Sequence, residues 1–83
     1  MALKIVWDKK AFEELNKLEA AVGRRIAKKV DELAEDPFSC DVKKLRGVAG
    51  YRLRVGDYRV IFDIDNDTIC ILKTGHRRNI YRF

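Results

Sequence analysis

Arginines set the chemistry of this chain. Between Tyr51 and Phe62 the sequence Tyr-Arg-Leu-Arg-Val-Gly-Asp-Tyr-Arg-Val-Ile-Phe alternates as a β-hairpin does, which places Arg52 and Arg54 on the face opposite Tyr51, Leu53 and Val55. With Gly56-Asp57 as a two-residue loop, glycine first as a type II′ turn prefers, Val55 pairs with Tyr58 and Arg54 lies directly across from Arg59. Like charges across an antiparallel pair cost roughly 0.2–1 kcal/mol, so a sheet that only had to be stable gains nothing from this pair. An anion between the two removes the penalty, and a phosphate matches the planar fork of guanidinium donors. The plain alternative is an exposed face kept in solution by its arginines.

A second cluster closes the chain: His76, Arg77, Arg78 and then Tyr81. Histidine is the side-chain type that ordinarily exchanges protons near neutral pH, and this is the single one present; its alternative is an incidental structural role. Tyr81 could offer its ring to a base or its hydroxyl to a phosphate, or pack the tail onto the sheet. Arginine stays protonated, so Arg54, Arg59 and Arg77 are candidates for stabilising charge that develops on a phosphorane-like transition state, not for proton transfer. Cys40 and Cys70 stand apart, with neither paired spacing nor a histidine cluster; no metal is expected, both thiols are expected reduced, and Cys70 is placed in the core. Asp65-Asn66-Asp67 has the opening of a calcium loop without its glycine or closing glutamate, and reads as a turn. No serine or cysteine nucleophile stands beside a base and no glycine-rich phosphate loop opens a helix, so no cofactor is expected. One reaction suits this inventory: cleavage of RNA by its own 2′-hydroxyl, which needs positioning, charge stabilisation and modest proton transfer.

The elements that must position these groups are few. Eighty-three residues predict one domain over 1–83, with two helices against one sheet. Leu3 to Trp7 reads as a strand apolar enough for a sheet interior. Asp8 caps a helix from Lys9 to Lys17 that buries Phe12 and Leu15, and a second helix from Ala20 to Glu35 carries Val22, Ile26, Val30 and Leu33 as its buried stripe. Its outer residues, Arg24, Arg25, Lys28, Lys29, Asp31 and Glu32, read as a solvated face. Asp36-Pro37 ends that helix. A loop carrying Lys43, Lys44 and Arg46 leads to the hairpin, and a last strand from Thr68 to Thr74, broken by Gly75, closes a meander whose register is ambiguous because Ile69 to Leu72 is apolar on both faces. The expected fold is α+β in the order βααβββ, two N-terminal helices covering one face of a mainly antiparallel four-stranded sheet. Arg52, Arg54, Arg59, Ile61 and Asp63 are left on the other face as an open, basic surface.

Charge is asymmetric: residues 1–42 hold 8 Lys and Arg against 9 Asp and Glu, whereas residues 43–83 hold 10 against 4. A basic half suggests a polyanionic partner, nucleic acid first. The opening Met-Ala-Leu-Lys-Ile-Val-Trp is too short for a signal peptide and no apolar run spans a membrane, so a cytoplasmic protein without a membrane partner is expected.

In length, element order, the Lys44-Leu45-Arg46-Gly47 segment, the Tyr-Arg-Leu-Arg strand, Gly-Asp-Tyr-Arg-Val-Ile-Phe and the closing Gly75-His76-Arg77-Arg78 with Ile80-Tyr81, the chain resembles the RelE/ParE superfamily of type II toxin–antitoxin toxins. The RelE-like branch implies an mRNA interferase that cuts message in the ribosomal A site without metal, by 2′-hydroxyl attack leaving a cyclic phosphate. It implies as partners a cognate antitoxin, mRNA and the ribosome. Position by position, the family's basic pair on the first hairpin strand falls on Arg52 and Arg54, its second-strand arginine on Arg59, the arginine after the last strand on Arg77 and the C-terminal tyrosine on Tyr81. Lys43, Lys44, Arg46, Arg52 and Arg78 are the expected RNA-binding set around Arg54, Arg59, His76, Arg77 and Tyr81. Some members carry lysine at the Arg52 and Arg54 positions, and a proton-accepting role of lysine does not pass to arginine. The alternatives are a ParE-type inhibitor of DNA gyrase with the same fold and a non-catalytic RNA-binding module.

Overall fold

The computed structural model describes residues 2–47 and 50–80; Tyr81 lies outside them. The elements run β1 (Lys4–Trp7), α1 (Lys9–Asn16), α2 (Ala20–Glu35), a 3-10 turn (Pro37–Ser39), β2 (Val42–Lys44), β3 (Tyr51–Val55), β4 (Tyr58–Asp65) and β5 (Thr68–His76). Asp8 opens α1, its carboxylate accepting the Lys10 N–H at 3.3 Å. Asp36, extended before Pro37, closes α2.

The sheet has five strands, not four, and is mixed: β1-β5-β4-β3-β2. The extra strand is β2, expected as loop, which pairs antiparallel with β3 and sets Lys43 opposite Arg52. Three residues, two of them lysine, carry no alternation to read; pairing alone makes them a strand. β1 lies at the other edge, parallel to β5 with Ile5 opposite Ile69. Its Ile5 and Trp7 pack on the core while Val6 is exposed, so an apolar sequence served an edge strand whose inner face alone is covered.

Both helices cover one face, where Ala11, Ile26, Val30 and Leu33 meet Leu53, Val60, Phe62, Ile69 and Ile71. Phe12, expected in this core, is half exposed and stands edge-on to Trp7 at 6.4 Å between ring centroids. The small Ala11 takes the buried place on α1 instead.

The β4–β5 register carries a bulge. Ile61 opposes Lys73 and Phe62 opposes Ile71, leaving Leu72 as the extra residue. Side chains alternate along a strand, so this one insertion exchanges the faces of everything after it: Thr74 and His76 turn to the helix side, opposite Val60 and Tyr58, while Lys73 and Gly75 turn outward. Cys70, opposite Asp63, lies on the outward face and not in the core. β5 passes through Gly75 without breaking, and residues 77–80 fold back, Asn79 and Ile80 donating their N–H groups to the His76 carbonyl at 2.9 and 3.1 Å. Ile80 is buried, and a Cβ on Gly75 would stand 3.6 Å from its Cδ1, so the returning turn covers part of the face expected to be bare.

Phe62 is fully buried and stacked on Tyr51 at 5.5 Å. Phe62→Ala is expected to lower stability by about 3–5 kcal/mol, whereas Phe38→Ser, at a side chain fully in solvent, should change it by less than about 0.5 kcal/mol; urea denaturation of the two variants checks the contrast.

Candidate functional site

On the face away from the helices the register lays out two rows of side chains. One runs Lys43, Arg52, Ile61, Lys73 across β2 to β5; the next runs Arg54, Arg59, Gly75. Directly opposed side chains in such rows have Cβ atoms about 4.5–5.5 Å apart. The fold therefore gathers Arg52, Arg54 and Arg59 on one face, as the hairpin pattern required, and the pairing of β2 adds Lys43, which was expected in a loop.

Around Arg52 the surface becomes a cleft of about 220 Å³ lined by Lys43, Lys44, Leu45, Arg46 and Arg52. Arg52 reaches Asp41 at 3.7 Å through Nη2, and its buried Nε has no hydrogen-bond partner among the described residues. The lysine and arginine side chains that line the cleft make it a site of positive charge suited to an anion.

Arg54 and Arg59 are paired as the turn dictates, with Val55 opposite Tyr58. Gly56 takes φ +58° and Asp57 does not share a positive φ, as a II′ turn requires. The second half of the expectation fails: Arg54 is exposed, but Arg59 is only 7% exposed, and its Nη1 donates to the carbonyls of Gly56 at 2.7 Å and Tyr58 at 2.9 Å. The tight turn leaves those two acceptors close together, and a guanidinium that caps both also withdraws from the like charge opposite. Arg59 is thus a clamp on the hairpin tip, and its buried Nε has no hydrogen-bond partner among the described residues.

The tip also receives the chain end. The Arg77 N–H donates to the Asp57 carbonyl at 2.8 Å, which brings the exposed Arg77 and Arg78 beside the turn that carries Arg54. From the helix side comes a residue that sequence reasoning missed. Arg25, assigned to the solvated face of α2, lays its guanidinium against Gly56, where an added Cβ would lie 3.2 Å from Nη2. Its place three residues after Val22 and one before Ile26, on the flank of the buried stripe, was the available signal.

His76 does not join the arginine rows. The bulge turns it to the helix side, where its ring stands edge-on to Tyr58 at 5.5 Å and its Nδ1 accepts the Arg78 N–H at 3.2 Å. It lines a cleft of about 400 Å³ with Glu14, Lys17, Tyr58, Thr74 and Asn79 among its walls. Glu14 accepts the Thr74 N–H there at 3.2 Å.

The fold and the sequence have counterparts among known proteins. The family model for the ParE toxin of type II toxin–antitoxin systems matches residues 5–81. The chain belongs to the RelE/ParE toxin superfamily. Toxin RelE3 of Methanocaldococcus jannaschii is 28% identical over 86 residues, covering 98% of both chains. Among solved structures, the RelE–RelB complex of Pyrococcus horikoshii matches with a TM-score of 0.79 at 33% identity, over 95% of this chain and 99% of that one. The RelBE2 toxin–antitoxin complex of Mycobacterium tuberculosis matches with a TM-score of 0.82 at 27% identity, over 93% of this chain and all of its counterpart. This RelE/ParE toxin thus shares the fold of toxins solved together with RelB-type antitoxins.

Clamp and exposed arginine should separate under mutation. Arg59→Ala removes two charge-assisted bonds and is expected to cost about 1.5–3 kcal/mol, whereas Arg54→Ala should leave stability within about 0.5 kcal/mol or raise it slightly; thermal unfolding followed by circular dichroism measures both.

Proposed function

We propose that this toxin is an endoribonuclease, a metal-independent mRNA interferase that cuts message on the ribosome in the cytoplasm and so inhibits translation. The observation that carries the reading is the hairpin tip, where exposed Arg54 and Arg77 converge on a turn clamped by Arg59. In the reaction the substrate's 2′-hydroxyl attacks the adjacent phosphorus, the bond to the 5′-oxygen breaks, and a 2′,3′-cyclic phosphate and a 5′-hydroxyl result. Guanidinium groups held in place stabilise the negative charge gathering on the phosphoryl oxygens. Arg59 contributes by fixing the tip through its two carbonyl contacts. The cleft of Lys43, Lys44, Arg46 and Arg52 takes the backbone on one side, and Arg78 supplies charge on the other. The proton must pass between the 2′-hydroxyl and the leaving oxygen; of the two side chains whose type could carry it, Tyr81 and His76, the register turns His76 to the helix side, away from Arg54 and Arg59.

A RelB-type antitoxin is the expected neutralising partner, since relatives of the same fold are solved in complex with one. A net charge of +5, concentrated in residues 43–83, suits an acidic partner as well as RNA. The match to the ParE family model favours one second reading, inhibition of DNA gyrase by protein contact.

Primer extension on a defined message in a purified translation system distinguishes the two. Cuts within A-site codons are expected from the wild type, falling about 10²-fold in Arg54→Ala and in Arg77→Ala, neither of which removes the Arg59 clamp. An intact message together with loss of gyrase supercoiling would replace the interferase by the gyrase inhibitor.

A further inference from the structure

Resting on the interferase reading, we propose that His76 is a positioning residue for the arginine turn and not its acid or base. Its Nδ1 holds the Arg78 amide, and its ring docks the turn on Tyr58. The bulge at Leu72 carries the imidazole to the helix side of β5, whereas Arg54 and Arg59 face the other way. Nδ1 accepts the Arg78 N–H at 3.2 Å, and the His76 carbonyl accepts from Asn79 and Ile80 at 2.9 and 3.1 Å. Three of the four amides in the turn thus close on one residue. The fourth, that of Arg77, closes on Asp57 at 2.8 Å. Edge-on contact with Tyr58, whose carbonyl is one of the two that Arg59 clamps, links the ring to the same hairpin tip.

In this bond Nδ1 is the acceptor and the Arg78 amide the donor, which leaves Nε2 as the ring nitrogen outside the contact. His76 lines the cleft of Glu14, Lys17, Tyr58 and Asn79, which Lys73 and Gly75 of β5 also line, while Arg54 and Arg59 are not among its walls. What the histidine supplies to the reaction is the place of Arg77 and Arg78, and displacement of a charge-stabilising group by about 1 Å is enough to cost rate.

Asparagine discriminates the roles, because its Oδ1 lies where the histidine Nδ1 lies and makes the same bond to the amide two residues on. Glutamine places its amide near the Nε2 position and cannot make that bond. Wild type, His76→Asn, His76→Gln and His76→Ala would be compared by message cleavage in the purified translation system and by amide hydrogen exchange at Arg78. His76→Asn is expected to keep cleavage within about threefold and to keep the Arg78 amide protected, while His76→Gln and His76→Ala lose roughly five- to tenfold in both. An asparagine variant as slow as alanine, with the Arg78 amide still protected, would overturn the proposal in favour of direct chemistry at the imidazole. An alanine variant equal to wild type in both readouts would overturn it too. A wild-type chain that leaves the message uncut defeats the interferase reading instead, and the exchange series then decides alone: protection kept in Asn and lost in Gln and Ala sustains the positioning role, and any other pattern ends it.

Discussion

A two-residue turn holds the arginine surface together. Gly56 at φ +58° lets β3 and β4 meet with Val55 opposite Tyr58, and every later feature of the site is measured from that register. The turn's carbonyls are the acceptors for Arg59, the Asp57 carbonyl is the acceptor for Arg77, and the bare Cα of Gly56 is the surface on which Arg25 lies. A side chain at position 56 would meet both the strained backbone and the Arg25 guanidinium. The turn thus meets the Arg59 side chain from β4, the Arg25 guanidinium from α2 and the Arg77 backbone N–H from the turn after β5.

The cost of gathering positive charge is offset unevenly across the sheet. Arg59 is stabilised by two carbonyls and Arg52 in part by Asp41, whereas Arg54, Arg77 and Arg78 remain exposed. Among the described residues the buried Nε atoms of Arg52 and Arg59 have no hydrogen-bond partner. The two roles of arginine divide accordingly. Clamped residues shape the surface, and exposed ones meet whatever anion arrives. The returning turn sharpens this division by laying Ile80 beside Gly75, so that apolar burial, and not charge alone, fixes where Arg77 stands.

Much of this was legible beforehand for a physical reason. The hairpin is written in alternation and a glycine-first turn, both local signals, so its register and the Arg54–Arg59 pair followed directly. The α2 stripe of Val22, Ile26, Val30 and Leu33 and the stop at Asp36-Pro37 are equally local. The inner face of α1 was read half correctly: Leu15 packs on the core as expected, but Phe12 outweighed Ala11 in hydrophobicity, and close packing on β5 takes the smaller residue.

Sequence by itself determined the toxin family, the hairpin register and the concentration of cations in the second half of the chain, since each depends on neighbours along the backbone. Tertiary structure alone decided the rest. β2 is a strand only because β3 offers hydrogen bonds to three residues without a pattern of their own. Arg59 turned from a phosphate fork into a clamp because acceptors at the tip lay within its reach. His76 left the arginine face because a single bulge at Leu72, in a run apolar on both sides, exchanged inside and outside for the remainder of β5. A period of two residues records that a strand has two faces but not which face it will present after an insertion, and only pairing with β4 settles it.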